Sequence, residues 1–410
     1  MTQAPPAPAA GPVAAPGFVD TPALLRRLNL LAVATVVLFG LLSALIQVMA
    51  WQSDGRAAGD TEQLVRVQDI RSSLFRADAL ATNGYLLAGL QPTDRQHEYD
   101  AAIADVLQQI ADAAEAQPAD RAALAALNQQ VDDYTTNVAQ AAVYNRQGLP
   151  LGIAYQTTAS SQLNDQALPI VDNLVAANAQ RSEDAMAGHH PLWLLGLGVL
   201  AVVALFLINR RLAAAFHRRI NTGIGVAAAV VLVTTVIAAI VAAAALRSNH
   251  HTEDGAYRDA TQAAIARTAA NAAKADESLR LISRGSGSTI EPKWQAQSAA
   301  VDAAVPADQR QDWDTYVQRH REVVRLDDGN QWKKAVDLAT TEAPSGSSAP
   351  LDAFDRQMAQ IATTSKDHAT DALRSGRTLA LALALLTALL GLVAALAASR
   401  GIAERHKEFL

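Results

Sequence analysis

Four stretches of the chain, residues 28–50, 192–208, 224–246 and 379–399, contain no Lys, Arg, Asp, Glu or His and show no regular polar face. A helix needs about 20 apolar residues to cross a hydrocarbon core of roughly 30 Å, so each stretch predicts a membrane span. The second is short and requires little tilt. A single run of this kind could be a buried soluble helix; four in one chain read as spans. The first could also be a signal peptide, since Arg26 and Arg27 precede it. Its apolar run exceeds the roughly 7–15 residues of a signal core, which favours an uncleaved anchor.

Between the spans the pattern turns to stripes with helical spacing. Leu64, Val67, Ile70, Leu74, Ala77 and Ala81 recur in steps of three and four, as do Leu124, Leu127, Val131, Tyr134, Val138 and Ala141. Further along, Ile265, Thr268, Ala272, Ala275, Leu279 and Ile282 form one stripe, and Leu351, Phe354, Met358 and Ile361 another. Such spacing places one apolar face of each helix against a core. Breaks fall at 89–93, at Gln117-Pro118 and at Gly148-Leu149-Pro150, where glycine suits a left-handed helix stop. The later segment breaks at 285–288, near Pro306, at Asp327-Asp328-Gly329 and at 344–348.

The predicted fold is an all-α membrane protein: four transmembrane helices and two helical-bundle domains, arranged span–bundle–span twice. The expected boundaries are a cytoplasmic tail at 1–27, spans at 28–50, 191–208, 224–246 and 377–399, helical domains at 51–190 and 247–376, a basic loop at 209–223 and a tail at 400–410. A weak internal repeat supports the tandem reading. Pro118-Ala119-Asp120 matches Pro306-Ala307-Asp308; Tyr134 and Gly148 correspond to Tyr316 and Gly329; Ala154 with Thr157-Thr158 corresponds to Ala335 with Thr340-Thr341.

Composition sharpens this picture. Half of the chain is apolar but only 5% is aromatic, and alanine and leucine favour helix. The absence of cysteine excludes disulfides, thiolate metal sites and cysteine nucleophiles. Residues 1–22 hold six of the fifteen prolines and predict a disordered tail.

The net charge of −6 says little, whereas its distribution gives a direction. Arg26 and Arg27, the cluster Arg210, Arg211, Arg218 and Arg219, and Arg400, Arg405 and Lys407 flank the spans on one side, while residues 51–190 carry 18 acidic against 8 basic residues. Basic flanks are retained in the cytoplasm, so both termini are expected inside a multi-pass plasma-membrane protein, with both helical domains outside.

Candidate chemistry is sparse. No phosphate loop, metalloprotease helix or serine elbow is present, and neither enzymatic turnover nor a cofactor or metal is expected. Asp132-Asp133 and Asp327-Asp328 read as solvated helix faces and turns, and Asp327-Asp328-Gly329-Asn330 lacks the alternating acids of a calcium loop. His189-His190 and His250-His251 flank spans two and three on the same side. They could gather to bind metal or sense pH, or simply end helices at the interface. Asn145, Arg146 and Gln147 offer amide and guanidinium groups for a ligand or partner carboxylate. Arg210, Arg211, Arg218 and Arg219 could hold anionic lipid or an acidic protein surface in addition to setting topology.

Residues Thr61-Glu62-Gln63-Leu64-Val65-Arg66-Val67-Gln68, Gln117-Pro118-Ala119-Asp120-Arg121 and Asn145-Arg146-Gln147-Gly148-Leu149-Pro150, with Arg26-Arg27 before span one and the four-span plan, resemble the GlnX-type membrane proteins of actinobacteria. The resemblance covers the architecture, and its local stretches fall in the first helical domain. It implies a role between GlnH, an extracytoplasmic amino-acid-binding lipoprotein, and the cytoplasmic protein kinase G. The helical domains are also similar to the four-helix sensor domains of chemoreceptors and sensor kinases, which continue into large output domains. With only short cytoplasmic pieces here, any output is expected to come from a separate partner. A homodimer is a possible state, as in many helical sensors, and no nucleic-acid partner is expected. The alternative is a non-switching scaffold of the cell envelope.

One asymmetry bears on coupling. No proline occurs from residue 351 to 410, so the last helix and span four could form a single rod approaching 90 Å at about 1.5 Å per residue. Gly188 and Pro191 interrupt the approach to span two. Rigid coupling through span four, and looser coupling of the first domain, is the expectation.

Overall fold

The computed structural model describes residues 21–87, 93–216, 221–285 and 287–407. The proline-rich tail at 1–20, the turn at 89–92, Ser286, and Arg218 and Arg219 lie outside the described residues. The helices are α1 (Thr21–Leu86), α2 (Thr93–Ala116), α3 (Arg121–Arg146), α4 (Leu151–Gln162), α5 (Leu168–Met186), α6 (Pro191–Phe216) and α7 (Thr222–Thr252). They continue with α8 (Arg258–Ile282), α9 (Gly287–Ala304), α10 (Gln311–Asp328), α11 (Trp332–Thr340), α12 (Ser348–Ser375) and α13 (Arg377–Lys407). Among the described residues there is no β-strand, and four helical stretches are long and apolar enough to cross a membrane. The all-α, four-span reading of the sequence holds.

The described residues form two compact units. One is apolar, drawn from 1–48, 190–242 and 380–410; the other is polar, drawn from 49–189 and 243–379.

The apolar unit is built inside-out. Its interior is largely small or modest in size: Ala32, Val36, Leu205, Ala227, Val231, Ala394 and Ala398 are buried together. Its surface carries Leu30, Leu38, Leu200, Phe206, Ile240, Leu385 and Leu396, all more than half exposed. A soluble monomer rarely shows so much apolar surface, and the arrangement suits lipid contact. Helices in lipid associate through close packing and interhelical hydrogen bonds rather than a hydrophobic force. Both devices occur here. A Cβ added to Gly391 of α13 would lie 2.9 Å from the Gly40 Cα of α1, so these helices meet backbone to backbone. Gln47 Nε2 donates to Thr387 Oγ1 at 3.1 Å across the same pair.

The rod expected through span four carries a one-residue turn at Gly376, between α12 and α13. Its φ of −76° and ψ of −16° remain right-handed, and Ser348–Ala403 still forms one helical stretch. Arg377 places its guanidinium 4.7 Å from the Trp51 ring centroid and donates to the Trp51 carbonyl. Helix α1 runs for 66 residues without a turn and includes both the first apolar stretch and the first stripe of the polar unit. Span three also continues, through a π turn at Glu253–Tyr257 where Gly255 leaves helical geometry, into α8. The break at 187–190 before α6 is present as expected.

In the first half of the polar unit, the later turns of α1 pack with α2, α3 and the α4–α5 pair around Val67, Ile70, Leu74, Val106, Leu124, Leu127, Val131 and Tyr134. Pro169 explains the π turn at Leu163–Ala167 that joins α4 to α5. A proline ring clashes with the carbonyl four residues earlier, here that of Asp165, and one wider turn relieves the clash. In the second half, α8 is the central helix, touched by α9, α10, α11 and α12. It buries alanines on nearly every face, so a single stripe describes it poorly: Ile265, placed on the expected core face, is 39% exposed.

The sequence suggests two separate bundles, but within the polar unit they share an interior. Ala272 and Ala275 of α8 belong to the first half's core cluster. Arg267 of α8 reaches Asp69 of α1 at 2.7 Å, Asn271 donates to Ser72, and Ser278 donates to Asn83.

Candidate ligand site in the polar unit

Among the buried polar networks and cavities of the described residues, three networks and one cavity bear most directly on chemistry. The first network surrounds Asp120, from the Pro118-Ala119-Asp120 turn. Its carboxylate is 3% exposed and accepts hydrogen bonds from Arg181 (2.7 Å), Asn178 (2.8 Å) and Gln63 (3.2 Å). These bonds tie the turn to α1 and α5.

The second network centres on Asp78 in α1, which accepts from Ser160 at 2.7 Å and Tyr134 at 3.2 Å. No cation neutralises it there, and burial pushes its carboxyl up to about 6.

The third lies in the second half. Lys274 Nζ donates to Glu277 at 2.7 Å, to the Ala339 carbonyl and to Ser347. Glu277 Oε2 meets His320 Nδ1 at 2.8 Å, and Trp294 stacks on the His320 ring at 3.7 Å and 7°. Burial alone would raise the Glu277 carboxyl, but Lys274 and His320 outweigh it and hold it down at about 2. His320 is raised: burial would lower it, yet the contacts to Glu277 and Glu291 prevail. The Nε2–Glu291 distance of 3.4 Å makes that contact an ion pair rather than a hydrogen bond. Nearby, Arg280 is gripped by Glu291, Asp327 and Asp328, so the latter two acids are ion-pair partners rather than a merely solvated turn.

The cavity lies at the last turn of α1, within the polar unit. It encloses about 640 Å³ and is lined by Tyr85 and Leu86 of α1, Asn145 of α3, Ile153 of α4, Ile282 of α8, Ser283, Arg284 and Trp332 of α11. The helix ends themselves create it. Gly148 adopts φ +67° just beyond α3 and returns the chain into α4. Asn145 Nδ2 donates to the Tyr85 carbonyl at 3.1 Å, tying α3 to the last turn of α1. On the opposite wall the Trp332 indole donates to the Leu281 carbonyl at 2.9 Å, and the Arg284 guanidinium sits 3.8 Å from the Trp332 ring centroid. Burial raises the Tyr85 phenol, so it remains a neutral hydroxyl.

Of the residues singled out in the sequence, Asn145 lines this cavity, whereas Arg146 and Gln147 are exposed and do not. Arg210 and Arg211 are exposed on α6 in the apolar unit, and Arg218 and Arg219 fall outside the described residues. The guanidinium at the cavity belongs to Arg284. Its sequence signal was the same kind of helix-end turn as Asn145-Arg146-Gln147-Gly148, namely Ser283-Arg284-Gly285, followed at a distance by one of only five tryptophans. The histidine pairs do not gather. His189 is buried against Asp54 at 2.8 Å, with Asn249 donating to the same oxygen; His190 stacks on Trp193; His250 is exposed beside Glu253. No group of His, Asp or Glu suited to a metal ion occurs among the described residues.

Residues 53–187 match a family described as an actinobacterial sensor domain. The match spans well under half of the chain and includes Tyr85, Leu86, Asn145 and Ile153 of the cavity. Neither a curated protein nor a solved structure matches the chain.

Proposed function

We propose that the chain is a transmembrane sensor that passes extracytoplasmic amino-acid availability, presented by a solute-binding lipoprotein, to a cytoplasmic protein kinase. The observation that carries the sensing role is the sensor-domain match at 53–187, which begins inside α1, the helix that also holds the first apolar stretch. Four apolar helices and a sensor domain are compatible with a multi-pass membrane protein. The orientation rests on the basic span flanks, and the lipoprotein and kinase on the likeness of 61–68, 117–121 and 145–150 to GlnX-type proteins. In this reading the two halves of the polar unit are copies of one module, the chain acts by binding rather than turnover, and α1 carries the signal. A non-switching scaffold is the competing reading, favoured by the Arg267–Asp69 and Arg76–Asp355 ion pairs that knit the halves together.

Two measurements test this. The chain has no cysteine, so Arg146→Cys and Arg210→Cys can be labelled singly. An impermeant maleimide should reach the first in intact cells and the second only after permeabilisation; the reverse pattern overturns the orientation. In cells, kinase substrate phosphorylation should change with external amino acids only when the chain is present. An unchanged response in a deletion strain leaves the scaffold reading.

A further inference from the structure

We propose that the cavity between the ends of α1 and α8 binds a small carboxylate bearing an apolar body. The assignment starts from Arg284. The polar unit is rich in acids, and several of its buried or half-buried arginines are paired with them: Arg181 to Asp60 and Asp120, Arg267 to Asp69 and Asp355, Arg280 to Glu291, Asp327 and Asp328. Arg284 makes no ion pair among the described residues. Instead its plane is held over Trp332, an indole itself fixed by the Leu281 carbonyl. A guanidinium stacked on a ring keeps its in-plane N–H fork open, and that fork matches a carboxylate with two parallel hydrogen bonds. The geometry is thus pre-organised before a ligand arrives, which lowers the entropy lost on binding.

The rest of the lining defines the remainder of the ligand. Leu86, Ile153 and Ile282 supply aliphatic wall, and Tyr85 and Asn145 supply the few polar atoms. A volume of about 640 Å³ falls in the range of about 300–1,000 Å³ typical of small-molecule sites, which combine apolar walls with a few oriented polar groups. A fully hydrated anion such as phosphate would satisfy the arginine but waste the apolar wall. A neutral apolar molecule would do the opposite. A carboxylate on a short aliphatic or aromatic body uses both.

The lining comes from both halves, so an occupant would tie the end of α1 to the end of α8. This use of the site rests on the sensor reading above; the binding itself does not. The binding is measured on the purified full-length protein in detergent or nanodiscs by calorimetry. The probes are benzoate, 3-phenylpropanoate and 3-methylbutanoate, with benzamide and inorganic phosphate for comparison. At least one carboxylate should bind saturably, and benzamide and phosphate at least tenfold more weakly. Arg284→Gln should abolish carboxylate binding without moving the thermal midpoint, because the side chain is exposed, and Arg284→Lys should restore part of it. Asn145→Leu tests the opposite wall independently. Absence of binding by all three carboxylates at millimolar concentration, equal binding of benzamide or phosphate, or unaltered binding by Arg284→Gln overturns the proposal. Those outcomes leave the cellular phosphorylation response untouched, so a failed cavity and a failed relay are told apart.

Discussion

Both halves of the polar unit bury carboxylates, and two of these, Asp78 and Glu277, are treated in opposite ways. In the first half, Asp78 sits among neutral hydroxyls and its proton is held more tightly, up to about 6. In the second, Glu277 sits between Lys274 and His320 and is ionised down to about 2. The tyrosines at matching places follow suit. Tyr134 spends its hydroxyl on Asp78, while Tyr316 packs into a cluster of Trp294, Trp313 and His320. Helical packing alone therefore does not dictate how a core handles charge. The half that matches the sensor family holds the protonatable Asp78 beside the locked Asp120–Arg181 pair. The other half holds the Lys274–Glu277–His320 ions beside Asp276, pushed up by burial to about 7.

The sharpest way to break this comparison is Glu277→Gln. It leaves the Lys274 ammonium, 5% exposed, without its carboxylate, and removing one partner of a buried pair costs about 3–5 kcal/mol. Chemical denaturation in detergent should show this loss at pH 7. Lys274→Met combined with Glu277→Leu should recover most of it, since apolar replacements of a buried pair are often neutral. If the single variant is as stable as the parent, the second half does not depend on its ions.

Asp78→Asn should act in the other direction. The folded carboxyl titrates near 6, above its ordinary 3.8, so the native state holds the proton more tightly and stability falls as pH rises through that window. Asparagine keeps an acceptor for Ser160 and Tyr134 and has no charge to bury. The variant should match the parent near pH 4 and exceed it above pH 6, by up to about 3 kcal/mol, since holding a proton across each pH unit of that window is worth about 1.4 kcal/mol. A parallel pair of pH curves would remove the contrast between the halves.

The same signs predict a crossing within a single chain. Stability from Glu277 is present above its ordinary 4.5 and is lost as pH falls toward 2. Stability from His320, raised above 6.5, is present below that value and lost as pH climbs through its folded value. Stability from Asp276, pushed up to about 7 by burial, is lost over the same rise in pH, so the crossing is read on an Asp276→Asn background. There, amide exchange resolved by segment should find the second half most protected between about pH 4.5 and 6.5, and the α1–α3 core losing protection across the rise from pH 4 to 6. The titratable and charged groups facing each site include Tyr99, Tyr134 and Asp276 for Asp78, and Lys274, Glu291, Arg280, Asp276 and Tyr316 for the Glu277–His320 pair.

How much of this was legible in the sequence depended on how many neighbours a helix has. The stripes Leu64 to Ala81 and Leu124 to Ala141 are buried along their length, although only α3 presents a single face to the core, while α1 is enclosed on nearly every side over 61–80. The stripe on α8 missed Lys274, Glu277 and Arg280, since a helix packed on several sides buries polar residues wherever a partner waits on another element. Those partners, His320 and Asp327, lie more than forty residues away, beyond the reach of periodicity. The spans were legible because lipid imposes a uniform rule, whereas nothing in the local pattern announced the Arg377–Trp51 contact. Asn145 was visible as a polar helix end; Arg284 became visible only once α11 brought Trp332 beneath it.

The smallest expected effect bears on whether the halves are copies. The repeat read along the chain pairs Gly148 with Gly329, but the left-handed residue after α10 is Asn330, at φ 55°, and Gly329 is not left-handed. With Asn330 set against Gly148 the two helix stops coincide bond for bond. Gly148 N donates to the Asn145 carbonyl and Leu149 N to that of Tyr144; Asn330 N donates to Asp327 and Gln331 N to Leu326. Both are the same i−3 and i−5 closure of a helix C-terminus. Left-handed geometry costs a residue with a Cβ about 1–2 kcal/mol, less for asparagine than for most. Gly148→Ala should therefore destabilise by about 1 kcal/mol, and Asn330→Gly should change stability by less, in the stabilising direction unless the added unfolded-state entropy cancels it. The check is the change in urea midpoint at constant slope. A Gly148→Ala variant with an unchanged midpoint would mean that the first stop is not held in this geometry, and the bond-for-bond correspondence between the halves would fall with it.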